Sequence, residues 1–351
     1  MAHRLLLFTT DLERGGTPTV VRELATRLRN PRVEVEVACI GRFGPVAQEL
    51  VDRNIRVWAL GARGTMALPR VVEAFGKLMG TRHYDRVLSF LMHANVVSAL
   101  ASIGRRKNTR WFQSVQTTQP YPWWHWKLQR LAADACERVI VPSHSVARMA
   151  VEAAGVAESK IVVIPNAVDP IPEATKLDRK VIRVGFVGRL DPVKRVQDLI
   201  AAVATLPPRF RLDIFGDGPE RATLQQLGIQ LKDRCTFHGM VRDVPSIYQQ
   251  LDLLVLPSDA EGLPMVLIEA MSAGVGVIGA NSPGIVDVID HQKTGLLYPP
   301  RDVTGLARAI ELSTTPAASR YRTAASACAR DRFGWAAVLD AYGRVLGLDP
   351  A

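Results

Sequence analysis

Short apolar runs alternate with stretches of helical period along the whole chain, the pattern of βαβ units and parallel sheets, and this constrains the fold more than any other feature. In the first half RLLLFTT, VEVEVACI, NIRVWAL, DRVLSFL, RWFQSV and RVIVPS read as strands. Segments between them read as amphipathic helices; in TVVRELATRL, Val20, Val21, Leu24 and Leu28 share one face. A second series begins later with VIRVGFVG, FRLDIFG, CTFHGM, LDLLVLPS and GVGVIGA. Between the two series IPNAVDPIPEATKLDRK carries three prolines and a polar run, which marks a linker.

At 351 residues the chain exceeds the size at which a single hydrophobic core stops growing. The expectation is an α/β protein of two Rossmann-like, doubly wound domains, residues 1–170 and 171–328. Doubly wound sheets bind ligands beyond the carboxyl ends of their strands, so two such domains are expected to face each other across a ligand cleft. Residues 329–351, including ARDRFGWAAVLDAYGRVLG, read as a helix with Phe333, Val338, Tyr342 and Val345 available for burial, expected to cross back to the first domain, with an end to the second domain as the alternative.

The net charge is +10 and unevenly placed: residues 1–170 hold 23 Lys and Arg against 14 Asp and Glu, the remainder 21 against 20. An anionic partner for the first half follows, a phosphorylated or lipid-linked substrate or an acidic membrane surface, with solubility as the alternative. Nucleic acid is not expected, because the basic residues are scattered and no reader motif is present. Cys39, Cys136, Cys235 and Cys328 stand far apart and the histidines form no HxxxH or HExxH, so neither a disulfide framework nor a metal site is indicated. The opening LLLF run is too short for a signal-peptide core, and no apolar run reaches spanning length. A reducing cytoplasm is the expected location, with any membrane contact peripheral, at the inner face.

Four strand-to-helix loops carry the candidate chemistry. In VGFVGRLDPVKRVQDLI the Gly188 corner is followed by Arg189 and Lys194, cations suited to a diphosphate beside backbone amides; two solvated surface cations are the alternative. In LDIFGDGPERATLQQL, Gly216 opens a truncated phosphate-type turn. In LDLLVLPSDAEGLPMVLIEAMSAG, Gly262 makes the corner and Pro264 suits the first helical position, which leaves the amides of Met265 and Val266 free for phosphate. Glu261 before that helix and Glu269 in its second turn then match sugar hydroxyls, since two carboxylate oxygens fit a vicinal diol. Near the N-terminus Gly15 and Gly16 separate the first strand from the first helix, where backbone can approach a ligand.

Taken together, GGTPTVVRELA, ERVIVPSHSVARMAVEAAGVAESKIVVIPNAVD, VGRLDPVKR, IFGDGP, LDLLVLPSDAEGLPMVLIEAMSAG and DHQKTGLLYPPRD resemble the retaining nucleotide-sugar glycosyltransferases of the GT-B class called family 4, over nearly the whole chain. The resemblance implies a metal-independent enzyme that moves a sugar, with retention, from a UDP- or GDP-sugar donor to a glycan or lipid-linked acceptor in cell-surface polysaccharide or glycoconjugate synthesis, without a cofactor. It further implies that Arg189 and Lys194 bind the donor diphosphate, Glu269 holds the ribose, Glu261 and the amides after Pro264 meet the sugar near its reacting carbon, Gly15 and Gly16 close over the phosphates, and FHGMV lies against the base. Two other readings stand beside it, a non-catalytic nucleotide-sugar-binding subunit and a sugar-nucleotide epimerase on the same fold.

The chain also departs from the family pattern. Gln116 stands where many relatives have histidine, Ala167 where glycine is usual, Gly276 where proline is common and Asp287 where glutamate is usual. His93, in FLMHANVV, is a candidate substitute polar group, a core or helix-cap histidine being the alternative. Trp123, Trp124 and Trp126 cluster with His125, Lys127 and Arg130 as an acceptor platform, a membrane-surface contact or inter-element packing.

Overall fold

The structure is a computed structural model that describes residues 3–62, 68–104, 108–117, 123–173, 180–241 and 243–348. Residues 174–179 of the expected linker and 118–122 beside the tryptophan cluster lie outside the described residues, as does the side chain of Trp123. The chain packs as two units, Met1–Asn166 with Ala336–Ala351, and Ala167–Trp335.

Seven parallel strands form the sheet of the first unit: β1 (His3–Thr9), β2 (Val33–Cys39), β3 (Arg56–Ala59), β4 (Arg86–Phe90), β5 (Arg110–Ser114), β6 (Arg138–Val141) and β7 (Ile161–Val163). Their order is β3-β2-β1-β4-β5-β6-β7. The connecting helices are α1 (Gly16–Leu28), α2 (Pro45–Asp52), α3 (Leu68–Thr81), α4 (Met92–Ser102), α5 (Trp123–Asp134) and α6 (His144–Glu152). β1 pairs with β2 on one side and β4 on the other, and Leu5, Leu6, Leu7 and Phe8 are all fully buried. A run covered on both faces has no solvent side, which is why it is continuously apolar instead of alternating. Val20, Val21, Leu24 and Leu28 of α1 are buried, as their shared face required.

Six parallel strands make the second sheet: β8 (Ile182–Val187), β9 (Phe210–Phe215), β10 (Cys235–Gly239), β11 (Leu253–Leu256), β12 (Gly276–Ala280) and β13 (Leu296–Tyr298). The order β10-β9-β8-β11-β12-β13 reverses direction between β8 and β11. Helices α7 (Val196–Thr205), α8 (Arg221–Gly228), α9 (Val244–Tyr248), α10 (Met265–Ser272), α11 (Val303–Leu312) and α12 (Ser319–Phe333) surround it. The core is mostly aliphatic, with Phe186, Phe210, Phe215, Tyr248, Tyr298 and Phe333 as its aromatic members.

Three features differ from the reading of the sequence. β7 and β13 have no counterpart among the strands expected from the sequence, since three residues are too few to show a period. The segment from 329 onward is not one helix: α12 ends at Phe333, Gly334 adopts an extended conformation, and a new helix, α13 (Trp335–Leu346), follows. Val338, Tyr342 and Leu346 of α13 are buried, whereas Val345 is only half-buried. α13 belongs to the first unit, where the Arg86 guanidinium donates to the carbonyls of Leu346 and Gly347 at 2.5 Å each.

Candidate active site

The reversal of strand order between β8 and β11 sets the loops that follow these two strands beside each other, at the place where doubly wound sheets hold ligands. After β8, Gly188 turns the chain and its N–H donates to the Phe215 carbonyl at 3.0 Å. A 3₁₀ turn, Pro192–Lys194, then ends on Arg195 in a left-handed conformation (φ 52°), which carries the chain into α7. The N–H of Asp259, in the loop after β11, donates to the Val193 carbonyl at 2.9 Å and stitches the two loops together.

That stitch brings Lys194 onto Glu261. The ammonium donates to both carboxylate oxygens, at 2.7 and 2.8 Å, and both side chains are largely shielded from water. Glu261 is fixed from behind as well, its N–H donating to the Pro283 carbonyl at 2.9 Å. Gly284 (φ 82°) leans on the same backbone: a Cβ there would lie 2.2 Å from the Glu261 carbonyl oxygen. This Ser282-Pro283-Gly284 support is absent from the sequence reading, although Pro-Gly after a strand is a recognisable turn signal.

The remaining residues take varied places. Arg189 is exposed and its guanidinium contacts Asp191 at 3.1 Å, so it does not join the Lys194–Glu261 pair. Gly216 (φ 130°) is demanded by packing, because a Cβ would lie 1.9 Å from the Gly188 carbonyl oxygen. Pro264 occupies the cap of α10, one position earlier than the first-turn place read for it. The first bond of that helix runs from the Leu267 N–H to the Pro264 carbonyl at 3.0 Å, and the amides of Met265 and Val266 precede it without an intrahelical partner.

Glu269 sits on α10 and accepts a 2.7 Å hydrogen bond from the Tyr248 hydroxyl of α9. Burial raises its carboxyl above the ordinary range, and the Tyr248 bond opposes that rise. Tyr248 itself is buried, and its hydroxyl is pushed far above its usual value by burial and then by the Glu269 charge. The sequence reading missed Tyr248; a tyrosine facing a core of aliphatic side chains is a signal in itself, since its hydroxyl must find a partner. In the FHGMV segment His238 stacks on Phe215 (centroids 4.3 Å apart) and its Nε2 lies 2.7 Å from Asp213, while Met240 is exposed.

In the first unit Gly15 caps α1 and its carbonyl accepts from the Thr19 N–H and hydroxyl, at 3.2 and 2.9 Å. Both Gly15 and Gly16 are exposed, and a Cβ on Gly16 would meet nothing within 4 Å. Gln116 donates to the Ser114 hydroxyl (2.7 Å) and accepts from Asn166 (3.2 Å), so its amide is held from both ends. His93, second residue of α4, is exposed with its ring 6.0 Å from that of His125, and partial desolvation followed by the His125 charge lowers its basicity. Within the tryptophan cluster Trp126 is buried, Trp124 is half exposed, and the Trp124 and His125 rings meet edge to face at 3.7 Å.

Two family models match, Glycosyltransferase Family 4 over residues 14–171 and Glycosyl transferases group 1 over residues 181–313. The chain belongs to the group 1, family 4 glycosyltransferases. This glycosyltransferase is 26% identical over 317 residues to the lipopolysaccharide 1,6-galactosyltransferase of Escherichia coli, with 83% of each chain covered. It is 37% identical over 189 residues to an exopolysaccharide phosphotransferase of Streptomyces coelicolor, where the match covers 51% of this chain but only 20% of the relative. The Anabaena HepE crystal structure with UDP and glucose superimposes with a TM-score of 0.87 at 23% identity, covering 98% of this chain and 99% of HepE. That likeness establishes the GT-B fold, with two Rossmann-like parallel-sheet domains.

Proposed function

We propose that this glycosyltransferase moves a sugar, with retention of configuration, from a UDP- or GDP-sugar to a glycan or lipid-linked acceptor in cell-surface polysaccharide or glycoconjugate synthesis. The observation that carries the reading is the Lys194–Glu261 pair at the reversal of the second sheet. Breaking the bond between the sugar carbon and the diphosphate builds positive charge on the ring and negative charge on the departing phosphate. Fixed cations and amides stabilise the latter best where water is excluded. In this reading Lys194 leaves Glu261 for the diphosphate, joined by Arg189, by the turn at Gly216 and by the amides of Met265 and Val266. Glu261, with the Gly262–Pro264 corner, faces the sugar, and Glu269 takes the ribose. The Gly15–Gly16 turn offers a further anion-accepting helix start. The acceptor hydroxyl attacks the face from which the diphosphate departs, and its proton passes to the departing phosphate oxygen; no metal is needed for that balance. His93 and Gln116 serve as polar contacts, and the work takes place in the cytoplasm, with peripheral contact to the inner face of the membrane. UDP and glucose in the HepE crystals support a nucleotide-sugar donor.

A second reading, a non-catalytic nucleotide-sugar-binding subunit, draws on Gln116, an amide held between Ser114 and Asn166 that cannot titrate. Incubation with a panel of UDP- and GDP-sugars in the presence of a chelator, followed by proton NMR of the anomeric signals, separates the two. The enzyme reading expects slow donor hydrolysis, release of the retained anomer first, and loss of both on Glu261→Ala. No turnover of any donor that measurably binds would favour the subunit.

A further inference from the structure

The first sheet also reverses direction, between β1 and β4, and a cavity of about 490 Å³ lies beyond the carboxyl ends of the strands there. Its size is that of a small-molecule site and its position is where a doubly wound sheet receives a ligand. Thr10 and Asp11 follow β1, Gly41 follows β2, and His93 lies in the first turn of the helix after β4. Every other lining residue among those described is apolar, drawn from the strand ends and from α3, α4 and α5. Val96, Trp124 and Leu128 form part of that wall and remain partly open to solvent. Among the described residues the Thr10 hydroxyl has no hydrogen-bond partner, and one oxygen of Asp11 accepts only from the Glu13 N–H, at 3.1 Å.

Such a lining discriminates between acceptors. A bare hexose carries a hydroxyl on nearly every carbon, and burying these against aliphatic walls leaves them without partners, at a cost that a few polar groups cannot offset. An apolar chain or ring loses nothing there, and each methylene taken out of water multiplies affinity roughly fourfold. We propose that this cavity receives the apolar body of an amphiphilic acceptor, an alkyl or prenyl chain or an aromatic ring, and that Thr10, Asp11 and His93 meet its hydroxyl-bearing end. The inference rests on the glycosyltransferase reading and narrows it from glycans in general to carriers with an apolar portion.

Isothermal titration of the full chain with octyl β-glucoside below its micelle concentration, methyl β-glucoside and UDP tests the cavity and the donor site separately. Octyl glucoside is expected to bind at least roughly tenfold more tightly than methyl glucoside. Val96→Trp, which fills the cavity, and Leu128→Lys, which charges its wall, are each expected to remove that advantage and leave UDP binding within about twofold of wild type. Equal affinity for the two glucosides overturns the proposal. So does an octyl advantage that survives in whichever variant still binds UDP, since the alkyl chain would then sit elsewhere. If UDP fails to bind the wild-type chain while the octyl advantage holds, the donor reading falls and the apolar site stands.

Discussion

Lys194 and Glu261 neutralise each other: one ammonium spans both oxygens of one carboxylate, at 2.7 and 2.8 Å, in a setting from which water is mostly excluded. In the proposed reading this salt bridge is exchanged on binding, because an arriving diphosphate would offer the lysine more negative charge than the glutamate does. The pair should therefore matter in two ways at once. Lys194→Ala strands a shielded carboxylate and is expected to cost about 1–3 kcal/mol in urea unfolding. It should also lower kcat/KM by roughly 10²–10³. Lys194→Met combined with Glu261→Gln should recover most of the stability and none of the activity; additive stability losses in the double variant would show that the two charges are not coupled.

Glu269 predicts a pH dependence with a definite sign. Its carboxyl is raised by burial, so in the window between the ordinary carboxylate value and the raised one the folded state holds a proton that the unfolded chain has released. Stability from this residue is therefore lost as pH rises through that window. Glu269→Gln is expected to melt higher than wild type at pH 7, and the difference should vanish below about pH 4, where both states are protonated. Nucleotide affinity should fall in the same variant, a trade of binding for stability. Tyr248→Phe removes the bond that favours the charged form, and should melt lower than wild type at pH 7.

Two glycines with the same expected role should respond in opposite ways. Gly216→Ala drives a methyl into the Gly188 carbonyl at a backbone angle that side chains avoid, and is expected to cost at least about 2 kcal/mol. Gly16→Ala meets open space and should stay within about 0.5 kcal/mol of wild type. If the amides of that turn approach phosphate, Gly16→Ala should still reduce kcat/KM at least roughly tenfold, since the added methyl stands where the ligand must come. Unchanged activity would remove the Gly15–Gly16 turn from the donor site.

Ligand linkage supplies a fourth check. UDP at about 100 times its dissociation constant should add about 2.7 kcal/mol of stability, seen as a concentration-dependent rise in melting temperature. Glu269→Gln and Lys194→Ala should each flatten that rise, whereas Val96→Trp should not.

The legible parts of the fold were the long periods and the buried runs. β1 and α1 announced themselves because a strand covered on both faces and a helix with one apolar stripe each write a distinct pattern. β7 and β13 are three residues long and carry no period to read. The break at Gly334 lies within a run that reads as one helix, because a lone glycine is tolerated in a helix; the step of five from buried Phe333 to buried Val338 is its only trace in the spacing. Of the candidate site, the residue types were legible and the partnerships were not: Glu261 and Lys194 are 67 positions apart, and only the reversal of sheet order makes them neighbours. Glu36 shows the same limit in the first unit. In the strand VEVEVACI, Glu36 is buried and accepts hydrogen bonds from Trp58 and Tyr84 at 2.7 Å each and from Arg82 at 2.8 Å, partners that no local pattern names.

The clasp of Arg86 on the carbonyls that end α13 bears on how the molecule is made. On the ribosome the seven strands of the first sheet emerge early, but the helix that caps Arg86 follows only after the whole second unit has been synthesised. Until then a guanidinium destined for burial waits without its acceptors. The half that is born first is thus completed last, and a fragment ending at the linker would be an unfinished body and not a free-standing domain.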